Sequence, residues 1–525
     1  MYKNKRPFES SYNLEGEILL SGRLKDIYEF LSLASRFAYK DIYLVTNQVL
    51  SKNPFTNNFL KYAISGKKPA SHRFVTKIFI LVRYYIKSFV RCFFFFCEYL
   101  QYEFSGTRFS ASDNKKEIIV IDTFFLVDAI LQSEKYKDSY LKGLDDILRR
   151  LNKNFVYLLN LPRPRKSFKI YRTIKILEKE NVPLLTEYQL LTIWDILRTF
   201  VFIAVYPFHV FKFISCFQTD ATDMKDLLKH TLVDTLDTVT FYDYLRYLQG
   251  RRISLLPYEK IKLVGWFENQ SLHKCLYRGL REENKKTVIY GAQLFLYSST
   301  ALNLIVDEEE VPLGVVPDKI LTNGSYYIPK VTCLNYIVGP SLRYGKIFTT
   351  VTRREKQRNI LILLPYYDDD VKNILTLLGS ANLPGEHLIL KSHPATSVTK
   401  FAKLIPEGVK INDDDTYSLF EISKIVISSA SGVLIEAVSL GIPVISVKNT
   451  ERFDYNPLPD YGKGIVWDEV TNSEELNSKT YEFLRKWETN YEEIMAISHE
   501  YKEVFFSEPT EQNIIKAFDL HDYNN

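Results

Sequence analysis

The sequence predicts an α/β protein that contains two doubly wound parallel sheets. Short runs of β-branched residues alternate with helical stretches along the chain, and this alternation restarts after residue 359. Strands that are separated by helices pair in parallel and are covered by helices on both faces. The chain has 525 residues, which is more than one hydrophobic core normally supports, so we expect two large domains.

The first half supplies the elements of one sheet. β-Branched and aromatic runs predict strands, and apolar residues at every third or fourth position predict helices. In chain order, we expect strands at 17–22, 41–45, 117–122, 155–159, 262–267, 287–293 and 318–324. Between them we expect helices near 24–37, 77–104, 140–151, 170–180, 190–217, 222–248 and 270–282.

The second half repeats the alternation more cleanly. We expect strands at 360–365, 386–394, 409–413, 424–429, 443–447 and 464–467. Helices should follow 368–370 and lie near 396–404, 417–423, 432–440 and 473–518. The boundary falls between 330 and 359, and we divide the chain into domains 1–335 and 336–525. The tail helix is expected to pack back on the first domain.

Composition narrows the class of function. The formal net charge is +5, which is mildly basic and well short of that of a protein that wraps nucleic acid. Anionic substrates or an anionic membrane surface fit this balance, so we expect no nucleic-acid partner. The five cysteines are scattered without ligand spacing, which indicates reduced thiols in a cytoplasmic protein. The first residues show no apolar signal segment, so we do not expect secretion.

Two aromatic helices, 77–104 and 190–217, indicate contact with a membrane. Arg83, Lys87 and Arg91 recur every four residues and form a basic stripe on an otherwise apolar helix, which is typical of a helix in a membrane interface. The second segment is of minimal length for a span and is interrupted by Pro207 and Lys212, so we favour docking on one leaflet. The alternative is that both helices belong to the core of a large domain.

The stretch SSASG, residues 428–432, follows a strand and opens a helix. Ligands of open α/β sheets bind at this position, where the first N–H groups of a helix carry a partial positive charge. The hydroxyls of Ser428, Ser429 and Ser431, with the backbone at Gly432, are therefore candidates for holding a phosphate. The alternative is simple helix capping by serine, which any α/β protein uses.

A second motif, KSHP, ends a neighbouring strand of the same half. His393 would add a hydrogen-bond donor, Pro394 would fix the turn, and Lys391 would add a cation two residues earlier on the same side of the strand. Glu436, in the helix after SSASG, is placed to reach a ribose or sugar hydroxyl. The alternative for His393 is a structural histidine beside a strand end.

The two motifs together, HLILKSHP and SSASGVLIEAVSLGIPVI, resemble the C-terminal half of bacterial GT-B glycosyltransferases. The resemblance is to CMP-sugar-using sialyl- and Kdo-transferases and to CDP-glycerol polymerases, and the second motif is also similar to the site of UDP-GlcNAc 2-epimerases. It implies a GT-B fold with two Rossmann-like domains facing across a cleft. It also implies that His393, Ser428 and Ser429 contact the donor phosphate and that Glu436 lies near the ribose. The acidic catalytic motif of the sialyltransferases is absent, which leaves the base unassigned.

Candidates for the base lie in the first half. Glu268 and Asn269 follow one strand, and Gln293 follows the next, so both sites face the expected cleft. We choose Glu268 as general base, or as nucleophile in a retaining mechanism, although it could instead serve the dipole of the following helix. Arg343 could neutralise phosphate or be a solvated linker residue. The acidic runs 368–370 and 413–415 suit helix starts, so we expect no metal.

These patterns predict a metal-independent glycosyltransferase that needs no cofactor and uses a nucleotide-sugar as substrate, with a CMP-sugar of the Kdo or sialic type favoured. The acceptor would be a glycan or a lipid-linked sugar of bacterial surface polysaccharide, such as lipopolysaccharide or capsule. The protein would be cytoplasmic and peripheral on the inner face of the membrane. The alternatives are a CDP-polyol phosphotransferase, a UDP-sugar 2-epimerase and a non-catalytic membrane scaffold.

Overall fold

The chain folds into two parallel β-sheets, each covered by helices. The computed structural model describes residues 22–54, 56–66, 74–105, 116–161, 167–237, 240–282, 286–298, 300–329, 332–351, 354–355, 359–383, 387–393, 398–450 and 455–521. Residues 17–21 of the first predicted strand lie outside these ranges, as does Pro394.

The first sheet has strand order β3-β2-β1-β4-β5-β6-β7, and every pairing in it is parallel. Its central strands β1 and β4 are buried along almost their whole length because both faces are covered. The strands are β1 (Glu117–Phe124), β2 (Phe155–Asn160), β3 (Leu184–Leu185), β4 (Lys260–Trp266), β5 (Lys286–Ala292), β6 (Lys319–Thr322) and β7 (Tyr336–Val338).

Twelve α-helices accompany this sheet among the described residues: α1 (Arg23–Ala38), α2 (Ile42–Val45), α3 (Phe59–Ser65), α4 (Phe74–Ser105), α5 (Val127–Ser133), α6 (Leu144–Arg150), α7 (Ser167–Lys179), α8 (Glu187–Leu190), α9 (Ile193–Cys216), α10 (Thr222–Asp234), α11 (Thr240–Ser254) and α12 (Ser271–Arg281). The predicted strand at 41–45 is wrong. The Asp41 carboxylate accepts a hydrogen bond from the Tyr43 N–H at 3.0 Å and so starts α2. The predicted helix at 222–248 is two helices, α10 and α11.

The second sheet has order β10-β9-β8-β11-β12-β13 and is also parallel throughout. Successive residues of β8 face opposite cores: Leu361 lies in one apolar cluster, and Ile360 and Ile362 lie in the other. The strands are β8 (Asn359–Leu363), β9 (Leu388–Lys391), β10 (Lys410–Ile411), β11 (Ser423–Ser428), β12 (Val444–Val447) and β13 (Trp467–Val470).

The remaining helices are α13 (Lys346–Thr349), α14 (Asp368–Ser380), α15 (Thr416–Ile422), α16 (Val433–Ser439), α17 (Ser473–Thr489), α18 (Tyr491–Phe505) and α19 (Glu511–Ala517). The predicted helix at 396–404 is a 3₁₀ helix, Val398–Leu404, and the last predicted strand begins later, at Trp467. Both sheets share the order 3-2-1-4-5-6 from their own first strands, which is the Rossmann-like topology. The fold is therefore α/β with two Rossmann-like domains, the GT-B class.

The chain crosses between the two sheets between Val338 and Asn359, and β7 still belongs to the first sheet. The end of the chain returns to the first domain, because Phe518 lies in its hydrophobic core. There the Tyr290 hydroxyl donates to the carboxylate of Asp519 at 2.7 Å. The segment after the last helix, α19, therefore packs against the first sheet, although it lies far along the chain from the strands of that sheet.

A tyrosine of helix α4 forms a hydrogen bond to a backbone carbonyl that a proline in helix α9 leaves without its helical partner. Pro207 lies inside α9 and has no N–H, so the carbonyl of Ile203, four residues earlier, loses its helical partner. The buried Tyr84 of α4 donates its hydroxyl to that carbonyl at 3.0 Å. The neighbouring Tyr85 donates to the carbonyl of Ala204 at 3.1 Å, which can also accept from the N–H of Phe208.

This arrangement predicts an unequal effect of two similar substitutions. Tyr84→Phe should lower the free energy of unfolding by ~1–3 kcal/mol, because it leaves a buried carbonyl unsatisfied. Tyr85→Phe, the matched control, should cost less than ~0.5 kcal/mol. In a Pro207→Ala background, the restored N–H should halve the cost of Tyr84→Phe. Urea unfolding of the wild type and the four variants measures these differences, and equal costs for the two tyrosines would contradict the assignment.

Candidate active site

The carboxyl end of β4 places Glu268 at the edge of the first sheet. Asn303 fixes its backbone, because the amide of Asn303 donates to the Glu268 carbonyl at 2.6 Å. The amide of Asn269 donates in return to the Asn303 carbonyl at 2.8 Å. Asn269 has a φ of 50°, a left-handed conformation that asparagine tolerates. These two hydrogen bonds with Asn303 therefore fix the backbone of residues 268 and 269.

The helix after Glu268 is also fixed closely. Helices α11 and α12 cross with their backbones in contact, and the crossing is made by two glycines. A Cβ on Gly250 would lie 2.3 Å from the Leu276 carbonyl oxygen, and one on Gly279 would lie 2.1 Å from the Tyr247 carbonyl oxygen. Only glycine permits this approach. Because α12 begins three residues after Glu268, the crossing limits movement of the strand end.

Glu268 itself sits in a poorly solvated position. Burial raises the pKa of its carboxyl to about 8, while a hydrogen bond from Gln270 and the charge of Arg343 act in the opposite direction. The side chain is half-buried, so it stays accessible from the cleft. A carboxyl of this kind exchanges a proton near neutral pH, which suits general acid or base chemistry.

Arg343 lies where the two domains meet. Its guanidinium donates to the carbonyl of Leu294 at 3.3 Å and lies 5.2 Å from the ring centroid of Tyr140. Burial raises the pKa of Glu268 in the first domain and that of Glu436 in the second, and the charge of the guanidinium partly opposes both rises. Arg343 is half-buried and stays charged, so it supplies a fixed positive charge between the domains.

Residues of the second domain approach Arg343 from the other side. Glu436 of α16 accepts a hydrogen bond from the Tyr417 hydroxyl at 2.6 Å, and burial raises its pKa. Half-buried His393 follows β9 and packs edge-on against Tyr366, with ring centroids 5.5 Å apart. Burial lowers the pKa of His393, and the charge of Arg343 lowers it further. The imidazole is therefore uncharged at neutral pH. The charge of Arg343 thus acts on Glu268 of the first domain and on Glu436 and His393 of the second. We refer to the region around these four residues as the Arg343 cleft.

The serine turn lies beside the same cleft. The Ser428 hydroxyl is buried and donates to the Leu363 carbonyl at 2.7 Å, which ties β11 to the end of β8. Ser429 is buried, and Ser431 is half-buried. A Cβ on Gly432 would lie 3.0 Å from the Cβ of Leu296 in the first domain, so glycine serves the close approach of the two domains.

The other predicted contacts have structural partners. The Lys391 ammonium donates to the carbonyls of Asp413, at 3.1 Å, and Asp414, at 2.5 Å, in the loop after β10. Gln293 is buried, and its side-chain oxygen accepts from the Tyr297 hydroxyl at 3.2 Å. These side chains shape the loops around the cleft, and their role in donor binding stays a prediction.

Sequence reasoning missed residues that join this cleft from distant parts of the chain. Lys142, on the loop before α6, donates to the carbonyl of Arg343 at 3.2 Å. Partial burial, Arg343 and Lys346 together lower its pKa, while Glu436 raises it. A lysine in a loop carries no local signal of this placement, because its partner is 201 positions away. Lys142 and Arg343 make the cleft attractive to anions, whereas the ammonium of Lys346 forms an ion pair with Asp415 at 2.9 Å.

The two acidic runs lie at helix starts. Asp368 begins α14, and Asp370 accepts a hydrogen bond from the amide of Asn449 at 2.9 Å. Asp415 is the N-cap of α15 and accepts from the Tyr417 N–H at 3.2 Å. Within the described ranges, no three histidine, cysteine or acidic residues are grouped to hold a metal ion. Independence from metals stays a prediction.

No protein-family model matches the chain, and no curated protein matches it in sequence. Several solved structures are similar in layout. A putative UDP-N-acetylglucosamine 2-epimerase from Listeria monocytogenes has a TM-score of 0.43 and 12% identity, over 78% of this chain and 98% of that one. MurG from Acinetobacter baumannii has a TM-score of 0.41 and 11% identity, over 77% and 100%. MnaA from S. aureus, solved with UDP, has a TM-score of 0.41 and 11% identity, over 76% and 95%.

Proposed function

We propose that this chain is a GT-B glycosyltransferase that moves a sugar from a nucleotide-activated donor to a hydroxyl acceptor. The favoured donor is a CMP-sugar of the Kdo or sialic type, as the motif resemblance implies. The acceptor is a glycan or lipid-linked sugar of bacterial surface polysaccharide, and the enzyme works on the cytoplasmic side of the membrane. It uses the nucleotide-sugar as a substrate and needs no metal.

The observation that carries this proposal is the position of Arg343. Its charge acts on a proton-exchanging carboxyl of the first domain, Glu268, and on two polar groups of the second, His393 and Glu436. Lys142 adds a second cation within the same cleft. Sugar transfer from a phosphate requires a base for the acceptor hydroxyl, and it requires cations and a hydrogen-bond donor for the leaving phosphate. Glu268 of the first domain is the base, His393 of the second is the donor, and Arg343 and Lys142 are the cations.

Each group has a distinct task in this mechanism. Glu268 accepts the proton of the acceptor hydroxyl as its oxygen bonds to the sugar carbon. The bond between that carbon and the donor phosphate breaks, and the phosphate gains negative charge. Arg343 and an N–H of neutral His393 stabilise this charge in a site where water is partly excluded. Glu436 accepts a hydrogen bond from a donor hydroxyl.

A thermal-shift screen of CMP, CDP, UDP and GDP tests donor binding directly. A nucleotide that binds only the folded chain at about a hundred times its Kd adds ~2.7 kcal/mol of stability, which should raise the Tm of a chain of this length by about 2–3 °C. We expect CMP to give the largest rise. Arg343→Gln should abolish the shift, whereas Arg485→Gln, which removes an exposed arginine from α17, should preserve it.

Other outcomes of this screen would redirect the assignment. No shift with any nucleotide would contradict the enzymatic proposal and support a scaffold. A shift with CDP alone would direct product analysis by mass toward a polyol phosphate. Turnover of UDP-GlcNAc without an acceptor would identify an epimerase. A shift that survives Arg343→Gln would place the nucleotide outside the cleft described here.

A further inference from the structure

Helices α4 and α9 lie side by side and expose apolar side chains to the surroundings. The two helices are in contact, and Phe89 of α4 stacks on Phe200 of α9 with ring centroids 6.2 Å apart. Seven large apolar side chains are more than half exposed. These are Phe79 (64%), Ile86 (59%), Phe93 (58%) and Phe94 (57%) on α4, and Trp194 (69%), Val201 (56%) and Phe208 (68%) on α9.

The exposed face of α4 is apolar along its centre and basic along one edge. Phe79, Ile86 and Phe93 are seven residues apart, which is almost two full turns, so they lie in one row. Arg83, Lys87 and Arg91 are four residues apart, and they form a second row on one side of the first. Buried Tyr84, Ser88 and Cys92 occupy the opposite side of the helix.

The same surface lacks exposed carboxylates within residues 76–102 and 193–216. The acid of α4 in this range, Glu98, is buried and accepts from the Tyr188 hydroxyl at 2.8 Å. The acid of α9, Asp195, is buried and forms an ion pair with Arg252 at 2.7 Å. Both acids point into the protein, so the outer surface combines apolar side chains with positive charge.

Helix α9 is long and apolar enough to cross a membrane, and within the described residues it is the one helix that is. One of its sides is nevertheless part of the domain core. Tyr206 is fully buried and accepts a hydrogen bond from the amide of Asn47 at 2.9 Å, and Pro207 is buried beside it. A helix packed in this way can touch a bilayer with one face, but it cannot be surrounded by lipid.

We propose that the outer faces of α4 and α9 form a docking surface for an anionic lipid bilayer, with the apolar rows in the acyl boundary and the basic row at the headgroups. A large exposed apolar patch marks an interaction site, and the basic row along its edge favours a negatively charged partner. This surface deepens the proposed function by presenting a lipid-linked acceptor. Membrane docking can be tested separately from donor binding, because a vesicle-binding experiment contains no nucleotide.

Cosedimentation with vesicles tests the apolar part. The wild type should bind vesicles of phosphatidylglycerol and phosphatidylethanolamine. Val82→Ser with Val90→Ser should weaken binding about tenfold, because two valines, each 48% exposed, leave the acyl boundary. The control is Val311→Ser with Val351→Ser, at valines 48% and 67% exposed outside these helices, and it should bind as the wild type does. Unweakened binding by the first variant would overturn the proposal.

The basic row gives a second, independent readout. Arg83→Gln, Lys87→Gln and Arg91→Gln together should weaken binding to the anionic vesicles about a hundredfold and leave binding to phosphatidylcholine unchanged. Added salt should weaken the wild type in the same way. Equal binding to anionic and neutral vesicles would overturn the anionic preference. Light scattering tests whether a second copy of this chain binds to the same surface instead of a bilayer. If the wild type is a dimer and Val82→Ser with Val90→Ser is a monomer, the surface is a contact between copies and the proposal is overturned.

Discussion

Replacing Glu268 by glutamine is expected to lower kcat about a thousandfold while leaving donor affinity within about twofold. Glutamine keeps the size of the side chain and removes the group that accepts the proton of the acceptor. The donor phosphate is held by other residues, so its binding should persist. Single-turnover kinetics with the nucleotide-sugar identified by thermal shift measures the first quantity, and calorimetry with the free nucleotide measures the second. Unchanged kcat would remove Glu268 from the reaction.

The pH dependence separates a base from a mere structural carboxyl. Burial raises the pKa of Glu268 from 4.5 to about 8, so the carboxyl is largely protonated at neutral pH. A general base must be ionised, and kcat/KM should therefore rise with pH and level off above about 8. The Glu268→Gln variant should lose this rise. A rate that falls over the same range would make Glu268 a general acid.

Stability should respond to pH with the opposite sign. A carboxyl whose pKa is higher in the folded state favours folding most at low pH, below its unfolded pKa of 4.5, and loses that contribution as pH rises through about 8. The Tm of the wild type relative to that of Glu268→Gln should therefore decrease as the pH rises from 4.5 to about 8. This comparison needs no substrate, so it tests the ionisation of the residue apart from its role in catalysis.

The strands were the most predictable part of the fold. Buried parallel strands are continuous apolar runs, and stretches such as 117–122 and 360–365 have no competing helical pattern. The segment 41–45 was misassigned because its β-branched residues suggested a strand, whereas Asp41 starts a helix that packs against α9. β3 and β7 went undetected, since two or three residues give too little periodicity to detect.

The candidate site was predictable only in its local parts. Glu268 and His393 follow strands, and Glu436 lies in the helix after the serine turn, so the strand-end rule places all three at the carboxyl ends of the sheets without knowledge of the fold. Arg343 had no such rule, because a linker arginine looks the same whether it faces solvent or a cleft. Lys142 was invisible for a related reason: its neighbours come from the linker and from the second domain. Long-range convergence is a property of the packed chain and leaves no trace in local sequence.

His393→Ala is expected to lower kcat about a hundredfold or more, with little change in Tm. The neutral imidazole is proposed to donate to the phosphate as its charge grows, so its loss should affect the transition state more than the bound donor. The matched control is His387→Ala, at the amino end of the same strand, far from the Arg343 cleft, which should leave kcat unchanged. His393→Asn, which retains an N–H donor, should recover part of the rate. Equal rates for the two alanine variants would mean that His393 is a structural residue beside a strand end, and the phosphate would then have to be held by Arg343 and Lys142 alone.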